Sequence, residues 1–213
     1  MVEIPLILKL RRQVHKNIAK AQDLIIDSLY KFFEKAVLHG GTSIWRCYSG
    51  NRFSEDVDVY IPKTLDRINS FFIDLEKKGF VINKKKIGEN SIFSSMKFND
   101  ALVRFEALFS NIKGEIKDYE TAEGNLIVVY TLSPESLIKE KIETYLKRLK
   151  IRDFYDVFFL LKYVKDKTPI KTNLKKLITN FKKPVDDKEL RVLIIEGITP
   201  NVEEMLTYVK REI

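Results

Sequence analysis

Two aspartates one residue apart, in Asp56-Val57-Asp58-Val59-Tyr60-Ile61, are the residues here best suited to chemistry. The alternation predicts a strand, stopped by Pro62. Successive side chains in a strand point to opposite faces, so Asp56 and Asp58 share one face while Val57, Val59 and Ile61 enter a core. Adjacent carboxylates repel, and a cation between them removes the repulsion. Oxygen-only ligands favour Mg²⁺ or Mn²⁺, which keep waters and recruit phosphates. A second run, residues 102–109, carries Glu106 beside Arg104 on the face opposite Val103, Phe105, Ala107 and Phe109. Glu106 is a candidate third metal ligand. The competing assignment is an edge-strand charge or a partner for Arg104.

Upstream stands Gly40-Gly41-Thr42-Ser43. Glycines let a backbone approach an anion, and a helix N-terminus presents N–H groups to phosphate. Thr42 or Ser43 is the expected cap of a short helix running to Tyr48. In that helix Trp45 reads as core and Arg46 as a phosphate contact. A glycine turn, a helix and then a paired-acid strand is what holding a triphosphate at its backbone end and its metal end requires.

These elements together resemble a known family. Leu38-His39-Gly40-Gly41-Thr42-Ser43 followed by Arg52-Phe53-Ser54-Glu55-Asp56-Val57-Asp58 is similar to the signature of the AbiEii/AbiGii-type nucleotidyltransferases, toxin-like enzymes of the DNA polymerase β superfamily. The likeness continues through Leu132-Ser133-Pro134-Glu135-Ser136-Leu137, Glu140-Lys141 and Arg152-Asp153-Phe154-Tyr155-Asp156. His39 stands where the family commonly has lysine. The resemblance implies an NTP substrate bound by Gly40, Gly41, Thr42, Ser43, Arg46, Arg52, Ser54, Lys141, Arg152 and Asp153. It implies Mg²⁺ or Mn²⁺ at Asp56, Asp58 and Glu106, with Lys141 and Asp156 completing the catalytic set. It further implies transfer to an RNA acceptor, the tRNA 3′ end among the candidates, and a cognate antitoxin as partner. A protein-modifying nucleotidyltransferase and a catalytically silent nucleotide-binding module are the rival readings.

The elements that must position these residues divide the chain. Residues 6–36 read as helix broken once, 65–78 as an amphipathic helix ended by Gly79, and 80–87, 91–98, 102–109 and 126–131 as strands. Residues 110–125 read as a polar loop with room for a short strand. Ser133-Pro134-Glu135 is a helix start, with a cap, a first-turn proline and an acid. The expected fold is α+β: a nucleotidyltransferase module with N-terminal helices over 1–132, and an all-helical region over 133–213 packed on it. On the helix from Pro134, Lys141 borders the apolar face, so it either snorkels or points into a site. Arg152, Asp153 and Asp156 share a face by spacing, either as a surface ion pair or as a group orienting Lys141 or an arginine.

Composition bounds the rest. One cysteine excludes an internal disulfide and any multi-thiolate metal site, in keeping with a reducing cytoplasm. No apolar run approaches a membrane span, and Ile4 to Leu8 is too short for a signal-peptide core. The net charge is +8, and residues 133–183 account for all of it, with 14 basic against 6 acidic side chains. That segment is either a solvated lysine-rich face or a track for a phosphate backbone.

Overall fold

The computed structural model describes residues 4–213. The chain divides into two compact units. The first comprises residues up to 49 together with 54–132. The second comprises 133–213 and, from the middle of the other sequence half, residues 50–53.

The first unit is built on a seven-stranded mixed sheet. Its strands are β1 (Val37–His39), β2 (Val57–Ile61), β3 (Val81–Ile87), β4 (Ser91–Phe98), β5 (Ala101–Phe109), β6 (Glu115–Glu120) and β7 (Leu126–Thr131), in the spatial order β3-β4-β5-β2-β1-β7-β6. β2 pairs with β5, and β1 with β7, in parallel; the other pairings are antiparallel. The acid-bearing strand is thus central, flanked by β1 and β5. Val57, Val59 and Ile61 are fully buried while Asp58 and Tyr60 are half-buried. Each buried side chain contributes roughly 1.5–3 kcal/mol, so the three together outweigh the ~4 kcal/mol by which two charges 4 Å apart near a protein surface repel. The core therefore fixes which face β2 buries, and the carboxylates follow to the other.

Helices α1 (Leu6–Lys9), α2 (Gln13–Phe32), α3 (Gly40–Cys47) and α4 (Leu65–Lys77) complete this unit. Residues 10–12 make the single break expected in the first helical stretch. α2 buries Ile18, Gln22, Ile25, Ile26 and Leu29 at helical spacing, and packs on α4 and β5. Phe71 of α4 lies 4.9 Å from Phe105 of β5, ring centre to ring centre. The sequence predicts that Thr42 or Ser43 caps the short helix. Instead α3 begins at Gly40 with an extended His39 as its N-cap, because Gly40 adopts φ +70°, a left-handed turn that lets strand pass directly into helix.

The second unit consists of α5 (Pro134–Arg148), α6 (Ile151–Leu160), α7 (Lys171–Thr179), α8 (Leu190–Leu193) and α9 (Val202–Arg211), with short 3-10 turns between them. α5 starts as the sequence predicts. The Ser133 hydroxyl accepts from the Ser136 N–H at 3.2 Å, Pro134 occupies the first turn, and Lys147 and Arg148 lie in the last. Leu137, Ile138, Ile142 and Tyr145 are buried in a helix that packs on α6, and Tyr145 stacks on Phe154 with ring centres 5.2 Å apart. Residues 50–53 are tied to this unit by backbone bonds from Phe53 N–H to the Leu193 carbonyl (2.9 Å) and from Ile195 N–H to the Asn51 carbonyl (2.8 Å). No helix among the described residues is long and apolar enough to cross a membrane.

Candidate active site

In the first unit the register of the sheet sets the acids. Asp58 lies opposite Glu106 across the parallel β2–β5 pair and opposite His39 across the antiparallel β1–β2 pair. Asp56, just before β2, falls on the same face. Gly40 abuts this cluster: a Cβ there would collide with the Asp58 carboxylate. The glycine is thus required twice, by its φ and by the carboxylate that fills its side-chain space. The imidazole of His39 stacks on Tyr60, ring centres 4.2 Å apart.

Electrostatics identify the cluster as anionic. Burial pushes the Glu106 carboxyl above its ordinary range, and the nearby charges of Asp58 and Asp56 push it further; Arg104 and His39 oppose them. The sequence predicts that Asp56, Asp58 and Glu106 converge on a metal. Among the described residues, no group of three or more His, Cys, Asp or Glu side chains converges closely enough to hold one as it stands. Asp56 is instead held by Arg104, whose Nε and Nη2 donate to its two oxygens, both at 2.7 Å. The partner of Arg104 is therefore Asp56, not Glu106. Asp58 and Glu106 remain a facing pair of hard oxygen donors beside a helix N-terminus, and the donor set fits Mg²⁺ or Mn²⁺ once Asp56 joins it.

The hydroxyls after the glycines are committed to the protein. Thr42 Oγ1 donates to the Asp56 carbonyl, and Ser43 Oγ bonds Thr131 Oγ1. Contact with an anion through this turn therefore falls to its backbone N–H groups, as the first turn of a helix allows. Gln22, which the sequence reading did not single out, is buried beside them. Its Nε2 donates to the Ser54 carbonyl (2.8 Å) and to Thr42 Oγ1 (3.3 Å), so one α2 side chain braces both the glycine turn and the approach to β2. Ser54 enters the cluster through that carbonyl.

Arg46 requires a correction. Expected at phosphate, it is fully buried, with its guanidinium bound to Asp23, to the Tyr119 hydroxyl (3.0 Å) and to the Ala19 carbonyl (3.2 Å). Helix α3 turns residue 46 away from the face that carries Gly40, into the space under α2 and β6. It anchors the core and is not available to a ligand.

The second unit holds its own charged cluster. Arg52 donates Nε and Nη2 to the two oxygens of Asp156 (2.9 and 2.8 Å) and Nη1 to the Phe53 carbonyl. Lys141 Nζ lies 2.7 Å from Asp156 and 3.6 Å from Asp153, and Arg148 forks onto Asp153 at 2.7 and 2.8 Å. Both aspartates are therefore engaged. Burial alone would raise the Asp156 carboxyl, but Arg52 and then Lys141 outweigh it and hold it below the ordinary range. The Arg152–Asp156 pair anticipated from helical spacing is not formed; Arg52, a hundred residues away in sequence, takes that place.

A family model described as "Nucleotidyl transferase AbiEii toxin, Type IV TA system" matches residues 24–205. The chain belongs to the AbiEii family. Its structure is similar to that of JHP933 from Helicobacter pylori, with a TM-score of 0.65 at 19% identity, covering 95% of this chain and 91% of that one. It is equally similar to MenT4, a nucleotidyltransferase toxin from Mycobacterium tuberculosis H37Rv, with a TM-score of 0.65 at 16% identity, covering 97% and 85%. At these identities the likeness establishes the nucleotidyltransferase fold. No curated protein sequence matches significantly. The AbiEii match spans the glycine turn, the acidic strand, β5, α5 and α6, so it includes every charged residue of both clusters, while the bracing Gln22 lies just before it.

Proposed function

We propose that this AbiEii nucleotidyltransferase moves a nucleotide from an NTP to an RNA acceptor, the tRNA 3′ end being the favoured candidate, and acts as a toxin opposed by a cognate antitoxin. The observation that carries the reading is the in-register Asp58–Glu106 pair against the Gly40 turn, where hard oxygen donors meet a helix N-terminus. In the reaction an acceptor hydroxyl oxygen attacks the α-phosphorus. A new P–O bond forms, the bond to the pyrophosphate oxygen breaks, and the hydroxyl proton passes to the surroundings. A divalent cation held by Asp56, Asp58 and Glu106 would polarise the phosphate and offset the charge developing on it. The protein's own part is placement. Backbone N–H groups of the Gly40–Gly41 turn receive phosphate oxygens, the sheet register fixes the spacing of Asp58 and Glu106, and Gln22 and Thr42 hold turn and strand in relation. In the helical unit Lys141, oriented by Asp156 and Asp153, is the candidate contact for the triphosphate, with Arg52 fixing Asp156 in turn.

The test is incubation with each labelled NTP, total RNA and Mg²⁺ or Mn²⁺, followed by a gel. Label in RNA, absent with Asp58→Asn, is the expected result. Label entering protein alone would replace the RNA acceptor by a protein, and absence of turnover with every NTP would leave a binding module.

A further inference from the structure

Of the cationic groups in the sheet unit, Arg104 has the geometry least explained by the reading above. It stands on β5 two residues before Glu106, on the same face, with its side chain 43% exposed. Both nitrogens of its fork are spent on Asp56, whose side chain is 21% exposed. A bidentate arginine–carboxylate pair takes one lone pair on each oxygen and fixes the plane in which the carboxylate lies. Asp56, Asp58 and Glu106 carry three negative charges, and Arg104 neutralises one. A divalent ion added to the intact pair would match the remaining charge while Asp56 stayed held by the fork. As they stand the three carboxylates do not converge on one point, so gathering them around one ion requires Asp56 to leave the fork.

We infer that Arg104 is a displaceable counter-ion, occupying Asp56 in the metal-free protein and ceding it when a divalent cation binds. The inference rests on the metal reading of Asp56, Asp58 and Glu106. It makes Arg104 a positioning residue that acts on the reaction through Asp56. The partial exposure of the guanidinium is what permits the exchange, since the side chain reaches water without unpacking the core face of β5, where Val103, Phe105 and Ala107 are buried. It follows that the acids are kept apart and neutralised until the ion arrives, and that metal affinity is lower than the three acids alone would give.

The probe is Mn²⁺ itself, with free ion followed by electron paramagnetic resonance during titration of wild type, Arg104→Gln, Arg104→Lys and Asp58→Asn. Arg104→Gln should bind Mn²⁺ more tightly by roughly two- to fivefold, the exchange value of one partly exposed ion pair. Arg104→Lys, a point charge without the fork, should fall between. In wild type, saturating Mg²⁺ should move the Arg104 Nε–H resonance and speed its exchange with water, a readout that needs neither turnover nor a variant. Mn²⁺ binding that depends on Asp58 but is no tighter in Arg104→Gln, or an Nε–H signal still protected at saturating Mg²⁺, would overturn the inference and leave the metal site standing. Equal, weak binding by wild type and Asp58→Asn would remove the metal site and the counter-ion role together.

Discussion

Glu106 and Asp156 are both acids in ion clusters, yet their environments push them opposite ways, and this yields opposite pH behaviour. Glu106 is raised by burial and then by Asp58 and Asp56, so the folded protein holds its proton over a range where the unfolded chain has lost it. Stability therefore falls as pH rises above the ordinary value of 4.5 and through the raised one. Glu106→Gln should raise the melting temperature of the metal-free protein at neutral pH. That gain should vanish below about pH 4 in a thermal-shift series. Asp156 is depressed, so its contribution is full above the ordinary 3.8 and is lost as pH falls toward the lower folded value. Asp58→Asn is nearly isosteric and relieves repulsion, so the fold should survive while turnover falls by about a hundredfold or more, the loss of several kcal/mol of charge stabilisation. An Asp58→Asn enzyme with wild-type turnover in the labelled-NTP assay would dismiss the metal assignment.

At the scale of elements, the local devices were legible in the sequence and the long-range ones were not. β2's alternation, the Ser133-Pro134 helix start and the stop at Gly79 are written within a few residues, and they appear where the pattern puts them. The strand β6 inside the polar loop could be anticipated but not bounded, because its exposed, charged sequence pairs only through β7. Arg104's choice of Asp56 depends on the β2–β5 register, 48 residues apart in sequence. Arg52's place beside Asp156 depends on residues 50–53 joining the helical unit, which no local periodicity records. Arg46 misled because residue type and proximity to the glycines suggest phosphate, whereas the rotation of α3 buries it. The same geometry makes Gly40 a sensitive point. Gly40→Ala meets both a left-handed φ and the Asp58 carboxylate. It should cost about 1–2 kcal/mol in denaturant unfolding from the backbone alone and displace Asp58 as well. In the helical unit, Arg52→Met should destabilise more than Lys141→Met. The first strips Asp156 of its two-pronged partner; the second leaves that fork in place and should cost roughly 1–2 kcal/mol. A weakened NTP affinity in Lys141→Met beyond what its melting temperature explains would mark a phosphate contact; unchanged kinetics would mark a purely internal ion pair.

For the whole molecule, the question is what the charge serves. All of the +8 resides in residues 133–183, and the structure divides those lysines by use. Lys141 and Arg148 are consumed internally by Asp153 and Asp156. Lys176 pairs with Glu143 at 2.6 Å, Lys167 with Glu212 and Lys183 with Glu203, all on or near the surface. Lys162 lies over the Phe159 ring, 3.8 Å from its centre. On α7, Leu174 and Leu177 are buried, which turns Lys171, Lys175 and Lys176 outward on one helix. Surface pairs such as Lys176–Glu143 hold only about 0–1 kcal/mol, too little to keep the lysine from a phosphate. If α7 tracks an RNA backbone, binding releases counterions, and the logarithm of affinity falls with that of salt concentration by roughly 0.7 per phosphate contacted on a single strand. Replacing Lys171, Lys175 and Lys176 with Gln should then weaken RNA binding and flatten that slope by about two units if all three make contact. Thermal stability should shift little, because α7's buried face is untouched. NTP affinity should stay unchanged, because the glycine turn and the acids are unaltered. Filter binding at several salt concentrations, with NTP affinity measured in parallel, separates the outcomes. RNA transfer that is insensitive to salt and to the triple substitution would make the lysine-rich helix a solvated surface and move the search for the acceptor to proteins or small molecules.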